Sequence, residues 1–195
     1  MDSLTTVLKM LDDMGIIEPD KRGLSGLSFG AEITAYTISH SNLFQAASSS
    51  QGGSRDPIFY DLAEAAWQKR LTEWGLGGRP QGKSAINWRE VSAALNAERI
   101  NASLLIQTPD SEMLTSQMLY NSLKELNKPV EMIVFADEGH VKNQPRHRYE
   151  IYQRNLDWFN FWLQDKEDND PDKRAQYARW HSMRELKNKT QLSTR

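Results

Sequence analysis

The pentapeptide Gly26-Leu27-Ser28-Phe29-Gly30 constrains this chain more than any other stretch. A G-x-S-x-G run between a strand and a helix makes a tight turn with the serine at its apex, and the glycines two residues to either side leave room for the backbone. Residues 22–25 read as a short buried strand entering that turn. Ala31 to Ser39 is small and apolar enough to be a helix packed inside a domain. Strand, serine and helix together make Ser28 a candidate nucleophile. A plain Gly/Ser turn is the alternative, and the rest of the chain has to decide between them.

Leu4, Val7, Leu8, Leu11 and Met14 recur at helical spacing and predict an amphipathic helix over residues 3–14, stopped by Gly15. Leu43 to Ser48 reads as the next strand, followed by a Ser/Gly-rich loop through Arg55. From Pro57 to Trp74, one face carries Phe59, Leu62, Ala63, Ala66, Trp67 and Leu71. A Gly/Pro-rich loop from Gly75 to Ser84 and a short helix over residues 91–97 complete a segment placed to form a lid or pocket wall. Trp67, Trp74 and Trp88 read as packing residues. Residues 103–107 form an apolar strand ending at Asp110, and helical spacing follows from Met113 to Leu126. Residues 130–135 form another strand, ending before Asp137, Glu138 and His140. A last helix from His147 to Leu163 is expected to bury Tyr149, Tyr152, Leu156 and Phe159. Strands joined by helices predict an α/β fold with a mostly parallel sheet and flanking helices.

After Gln164 the composition turns charged. The reading is therefore a domain over residues 1–164 and a charged tail over 165–195 that packs loosely or extends. A net charge of −2 and scattered basic residues give no field for nucleic acid or an anionic membrane. No apolar run reaches the ~20 residues needed to cross a bilayer. With no cysteine, disulfides, thiol catalysis and cysteine-ligated zinc are excluded, while the compartment stays open, the cytoplasm being favoured over the periplasm. The acidic residues lack ligand spacing, so no metal and no cofactor are expected.

Acyl transfer by serine needs an imidazole to take and return the proton and a carboxylate to hold that imidazole's tautomer. Ser28, Asp110 and His140 occur in the chain order that goes with this elbow, and each follows a predicted strand. Their joint arrival is far more specific than the pentapeptide. Asp110 also suits a helix N-cap before Met113, and the two roles are compatible. His40, His147 and His181 read as structural or exposed.

At these residues the chain resembles the catalytic domain of the prolyl oligopeptidase family of serine peptidases. The likeness runs from about Val7 to Leu163 through residues 19–30, 42–48, 104–113 and 135–140. It implies the C-terminal half of an α/β-hydrolase fold, with Ser28 as nucleophile, Asp110 as orienting acid, His140 as base and the Phe29 backbone N–H as one oxyanion donor. The elbow region and residues 172–184 look like the bacterial lasso-peptide isopeptidases of that family, which open the side-chain amide closing the ring of a threaded peptide. A peptide or isopeptide substrate follows, with a small-ester or amide hydrolase and an inactive fragment as the alternatives. Ala31 stands where the family usually has a second glycine. The strands preceding the nucleophile strand, the β-propeller and the tyrosine that usually gives the second oxyanion donor have no counterpart here. The missing N-terminal part of the same enzyme is therefore an expected partner.

Overall fold

A computed structural model describes residues 1–50 and 54–193. Part of the expected Ser/Gly loop before Arg55 lies outside the described residues. The chain begins with α1 (Asp2–Asp13), continues through β1 (Gly23–Leu27) and α2 (Phe29–His40), and reaches β2 (Ala46–Ser50). An insertion follows, made of α3 (Pro57–Leu62), α4 (Ala65–Leu71) and α5 (Ser84–Val91). Next come β3 (Ser103–Pro109), α6 (Met113–Glu125), β4 (Val130–Phe135), α7 (Pro145–Gln164) and α8 (Arg174–Ser193). The four strands form one parallel sheet in the order β1-β2-β3-β4.

Both central strands are buried along their whole length, as a parallel sheet covered on two faces requires. Because strand side chains alternate, neighbours in sequence feed opposite cores. Ala47, Leu104 and Ile106 pack with Ala35 and Ile38 of α2 and Leu119 and Leu123 of α6. Ala46 and Leu105 face the other way, toward Trp158 and Phe161 of α7 and Tyr177 and Trp180 of α8. A smaller core of Leu71, Leu76 and Trp88 holds the insertion together. No helix among the described residues is long and apolar enough to cross a membrane.

Four elements differ from their sequence patterns. The stretch from Pro57 to Trp74 breaks at Ala63 and Glu64, both extended, and ends in a wide π-type turn over Thr72–Leu76. The predicted helix over residues 91–97 is instead α5, ending at Val91, followed by a 3-10 turn over Ala94–Arg99. In α7, Tyr149, Tyr152 and Leu156 are exposed, while the face carrying Trp158 and Phe161 turns to the sheet. The tail is not loose. Trp180 of α8 is fully buried against Phe161 and Trp158, and its indole N–H donates to the buried Glu131 carboxylate of β4. Lys173 and Gln176 meet Asp157 of α7, so polar residues of the tail also hold it to the packed face.

Candidate active site

Ser28 caps α2 with φ 58° and ψ −124°, a conformation that costs a non-glycine residue energy and persists only when its surroundings enforce it. They do so here. Its N–H donates to the Ser50 carbonyl at the end of β2 (3.0 Å), and its carbonyl accepts from Ala31 N–H (2.8 Å) in the first turn of α2. The two glycines are not equivalent. A Cβ on Gly26 would lie 1.9 Å from the Gly30 carbonyl oxygen, whereas a Cβ on Gly30 would meet nothing within 4 Å. Close passage of α2 over β1 therefore falls on Gly26 alone. Phe29, the first residue of α2, has an N–H with no acceptor inside its own helix, as every first-turn amide does.

His140 lies on the loop between β4 and α7, where its Nε2 is 2.8 Å from Ser28 Oγ. Its Nδ1 is 2.7 Å from Glu112 Oε1. A carboxylate at Nδ1 fixes the tautomer: Nδ1–H donates to Glu112, which leaves Nε2 free to accept from the serine hydroxyl. The structure thus brings Ser28 and His140 together and puts Glu112, rather than Asp110, on the far side of the ring.

Asp110 does different work. Its carboxylate accepts from the backbone N–H of Asp137 (3.0 Å) and of Ser111 (2.8 Å). The Asp137 amide is the main reason its carboxyl is held below the usual carboxylate range. The contact ties the end of β3 to the entry of the His140 loop, where Asp137 has a positive φ of 55°. Asp110 and Glu112 are only two residues apart in a 3-10 turn at the strand end, and the longer side chain is the one that reaches the imidazole. Paired acidic residues at that strand end were the available signal for Glu112. The chain order of residue types fits either one.

The loop's exit is also held by a carboxylate. Glu138 accepts from the N–H groups of Asn143 (2.8 Å) and Gln144 (3.1 Å) and from His147 Nδ1 (2.8 Å). Burial pushes its carboxyl up, but these donors outweigh that and leave it lowered. His147 is therefore a clamp residue of this loop.

Ser28, His140 and Glu112 open onto a cleft of about 500 Å³ whose other wall is Phe59, Leu62 and Trp67 of the insertion. Trp67 and Trp74 are exposed, and Trp88 alone of the insertion's tryptophans is core. Beside the cleft lies an apolar groove of about 650 Å³ that includes Phe29, Ile33, Tyr36 and Trp74. Glu32, one turn beyond Ser28, borders both and pairs with Arg55 (2.6 Å). Burial raises the Glu32 carboxyl in spite of that partner. Arg55 stacks on Trp74, and the next residue, Asp56, is fully buried and bonded to Ser92 Oγ and Ala94 N–H. The insertion is thereby fastened over the elbow helix.

Against known proteins, the model of the prolyl oligopeptidase family matches residues 1–166. The lasso peptide isopeptidase AtxE2 of Asticcacaulis excentricus is 36% identical over 194 residues, covering 100% of this chain and 28% of that protein. A solved structure of AtxE2 in its apo form superposes with a TM-score of 0.86 at 36% identity, over 94% of this chain and 28% of that one. An acylaminoacyl peptidase of Pyrococcus horikoshii shares the fold, with a TM-score of 0.70 at 22% identity over 86% of this chain and 28% of that one. The chain thus spans about 28% of the length of the relatives it matches.

Proposed function

From the premise that the chain belongs to the prolyl oligopeptidase family and has an α/β-hydrolase fold, we propose that it carries the catalytic centre of a serine peptidase that hydrolyses peptide or isopeptide bonds. The observation that carries this reading is the relay from Ser28 Oγ through His140 to Glu112, with contacts of 2.8 and 2.7 Å. Ser28 attacks the scissile carbonyl while Nε2 of His140 takes its proton. The same nitrogen returns that proton to the leaving amine, which departs as the acyl-enzyme forms. Water then repeats the sequence on the ester and frees Ser28. Glu112 holds the tautomer and faces the imidazolium, Asp110 holds the loop that presents it, and the Phe29 N–H is one oxyanion donor.

The second donor and much of the substrate-facing wall come from residues of the complete protein outside this chain, in keeping with relatives more than three times as long. The isopeptide of a lasso peptide is the favoured substrate, because 36% identity to a lasso peptide isopeptidase extends over the whole chain, α8 included. The test is to incubate the complete enzyme with a threaded peptide, its unthreaded branched-cyclic isomer, a linear peptide and a simple ester, following each by mass. Addition of one water that opens the ring of the threaded peptide, lost in Ser28→Ala, is the expected result. Turnover of the ester alone would overturn the peptidase reading.

A further inference from the structure

Two residues beyond His140, the loop turns its side chain inward at Lys142, which is 2% exposed. Its Nζ donates to the carbonyl oxygen of Gln107 near the end of β3 (3.2 Å) and lies 5.6 Å from the centre of the Phe135 ring. Burying a lysine is costly unless its charge is used. Nothing in the proton relay itself calls for one here. Its carbonyl partner is neutral, and the carboxylates whose charge it feels are Glu112 and Glu138. Glu112 needs such a charge, because its Oε2 is buried without a hydrogen-bond partner among the described residues while Oε1 holds the imidazole.

Resting on the hydrolase reading above, we propose that Lys142 is a positioning residue of the catalytic centre, anchoring the His140 loop to β3 from below and supplying the cation that balances Glu112 and Glu138. Among the loop's attachments are then Asp110 at its entry, Glu138 at its exit and Lys142 beneath its tip. The carboxylates whose charge reaches the ammonium are Glu112 from the end of β3 and Glu138 from its own loop, and Arg148 and Tyr152 of α7 line the same cleft. The ends of β1 and β2 that share its cleft offer only Ser25, Gly26, Leu27 and Ser50.

Burial lowers the Lys142 ammonium to about 8, with the two carboxylates opposing the shift. The cation is therefore present at neutral pH and lost as pH rises through about 8. Its loss, by titration or mutation, leaves the site more negative. That favours the imidazolium and frees the loop.

The experiment compares wild-type, Lys142→Met and Lys142→Arg forms of the complete enzyme from pH 5 to 9.5. Lys142→Met should lower kcat by about tenfold through the freed loop, the order of one lost hydrogen bond from a charged group. KM should stay within about twofold, and the acid limb of kcat/KM should move to higher pH. Lys142→Arg should restore kcat and lose the decline expected of wild type near pH 8. Wild-type kcat and pH profile in a folded Lys142→Met enzyme would overturn the proposal, as would failure of Lys142→Arg to recover activity while it labels normally with a fluorophosphonate. Should Lys142→Met not fold, NMR titration of the Lys142 side chain in wild type decides. A midpoint near 8 that also moves the His140 ring signals supports the proposal, and a midpoint in the ordinary lysine range overturns it. Full turnover by Ser28→Ala would instead sink the hydrolase reading and is scored separately.

Discussion

Replacing Glu112 with Gln and Asp110 with Asn separates two roles that a motif cannot. Gln keeps the length of Glu112 but removes the charge that meets the imidazolium across a 2.7 Å contact. The ring is about half exposed and the carboxylate less so, which puts the pair between water and an effective dielectric of about 20. For charges about 4 Å apart that is worth about 1 to 4 kcal/mol, or roughly 5- to 10³-fold in rate. An amide can also turn its NH₂ toward Nδ1 and reverse the tautomer, a defect that carries losses toward ~10⁴ in triads of this kind. Glu112→Gln should therefore cut kcat/KM by about 10² to 10⁴. Asn at position 110 keeps one acceptor for the Asp137 and Ser111 amides, so Asp110→Asn should cost about tenfold, through loop position alone. The assay is kcat/KM of the complete enzyme on an activated amide, normalised by active-site titration with a fluorophosphonate. A loss in Asp110→Asn equal to or larger than that in Glu112→Gln would refute the assignment of Glu112 as the orienting acid.

Gly26→Ala should give insoluble or unlabelled protein, since its Cβ would meet the Gly30 carbonyl at 1.9 Å, whereas Gly30→Ala should be expressed and labelled normally. Trp180→Ala removes a fully buried indole and should lower stability by about 3 to 5 kcal/mol in urea titrations. The Asp110 and Glu138 carboxyls are lowered in the fold, so the stability they add is present above the ordinary carboxylate range and lost as pH falls through it to their folded values. Asp110→Asn and Glu138→Gln should each flatten the acid limb of a melting-temperature profile. Burial lowers Lys187 to about 8, so between pH 8 and its unfolded value of 10.5 the unfolded chain binds more protons and stability rises with pH. Lys187→Met should remove part of that rise in the same profile.

Much of the fold was legible because its signals are local. The apolar runs at residues 103–107 and 130–135 and the elbow flanked by small residues give three of the four strands within a residue or two, and the second strand is displaced toward Ser50. Helix faces were less legible. In α7 the spacing of Tyr149, Tyr152 and Leu156 is as helical as that of Trp158 and Phe161, and periodicity does not say which stripe meets the sheet. The tail misled for a related reason: a charged composition does not show that Lys173 and Arg179 pair with Asp157 and Glu131 around a buried tryptophan. At the site, chain order led to Ser28 and His140, which the fold brings within 2.8 Å of each other. It did not reach Glu112, because a choice between two carboxylates two residues apart depends on side-chain length and loop height. The role of Gly26, unlike that of Gly30, follows from where α2 crosses β1, a tertiary distance that a pentapeptide does not carry.

A Ser28 nucleophile activated by His140 is read most directly by covalent labelling. The complete enzyme is treated with a fluorophosphonate, digested and mapped by mass spectrometry. One adduct is expected, on the hydroxyl of Ser28, absent in Ser28→Ala and strongly slowed in His140→Ala. A folded enzyme that takes up no probe, or takes it up on another residue while Ser28 stays free, would contradict it.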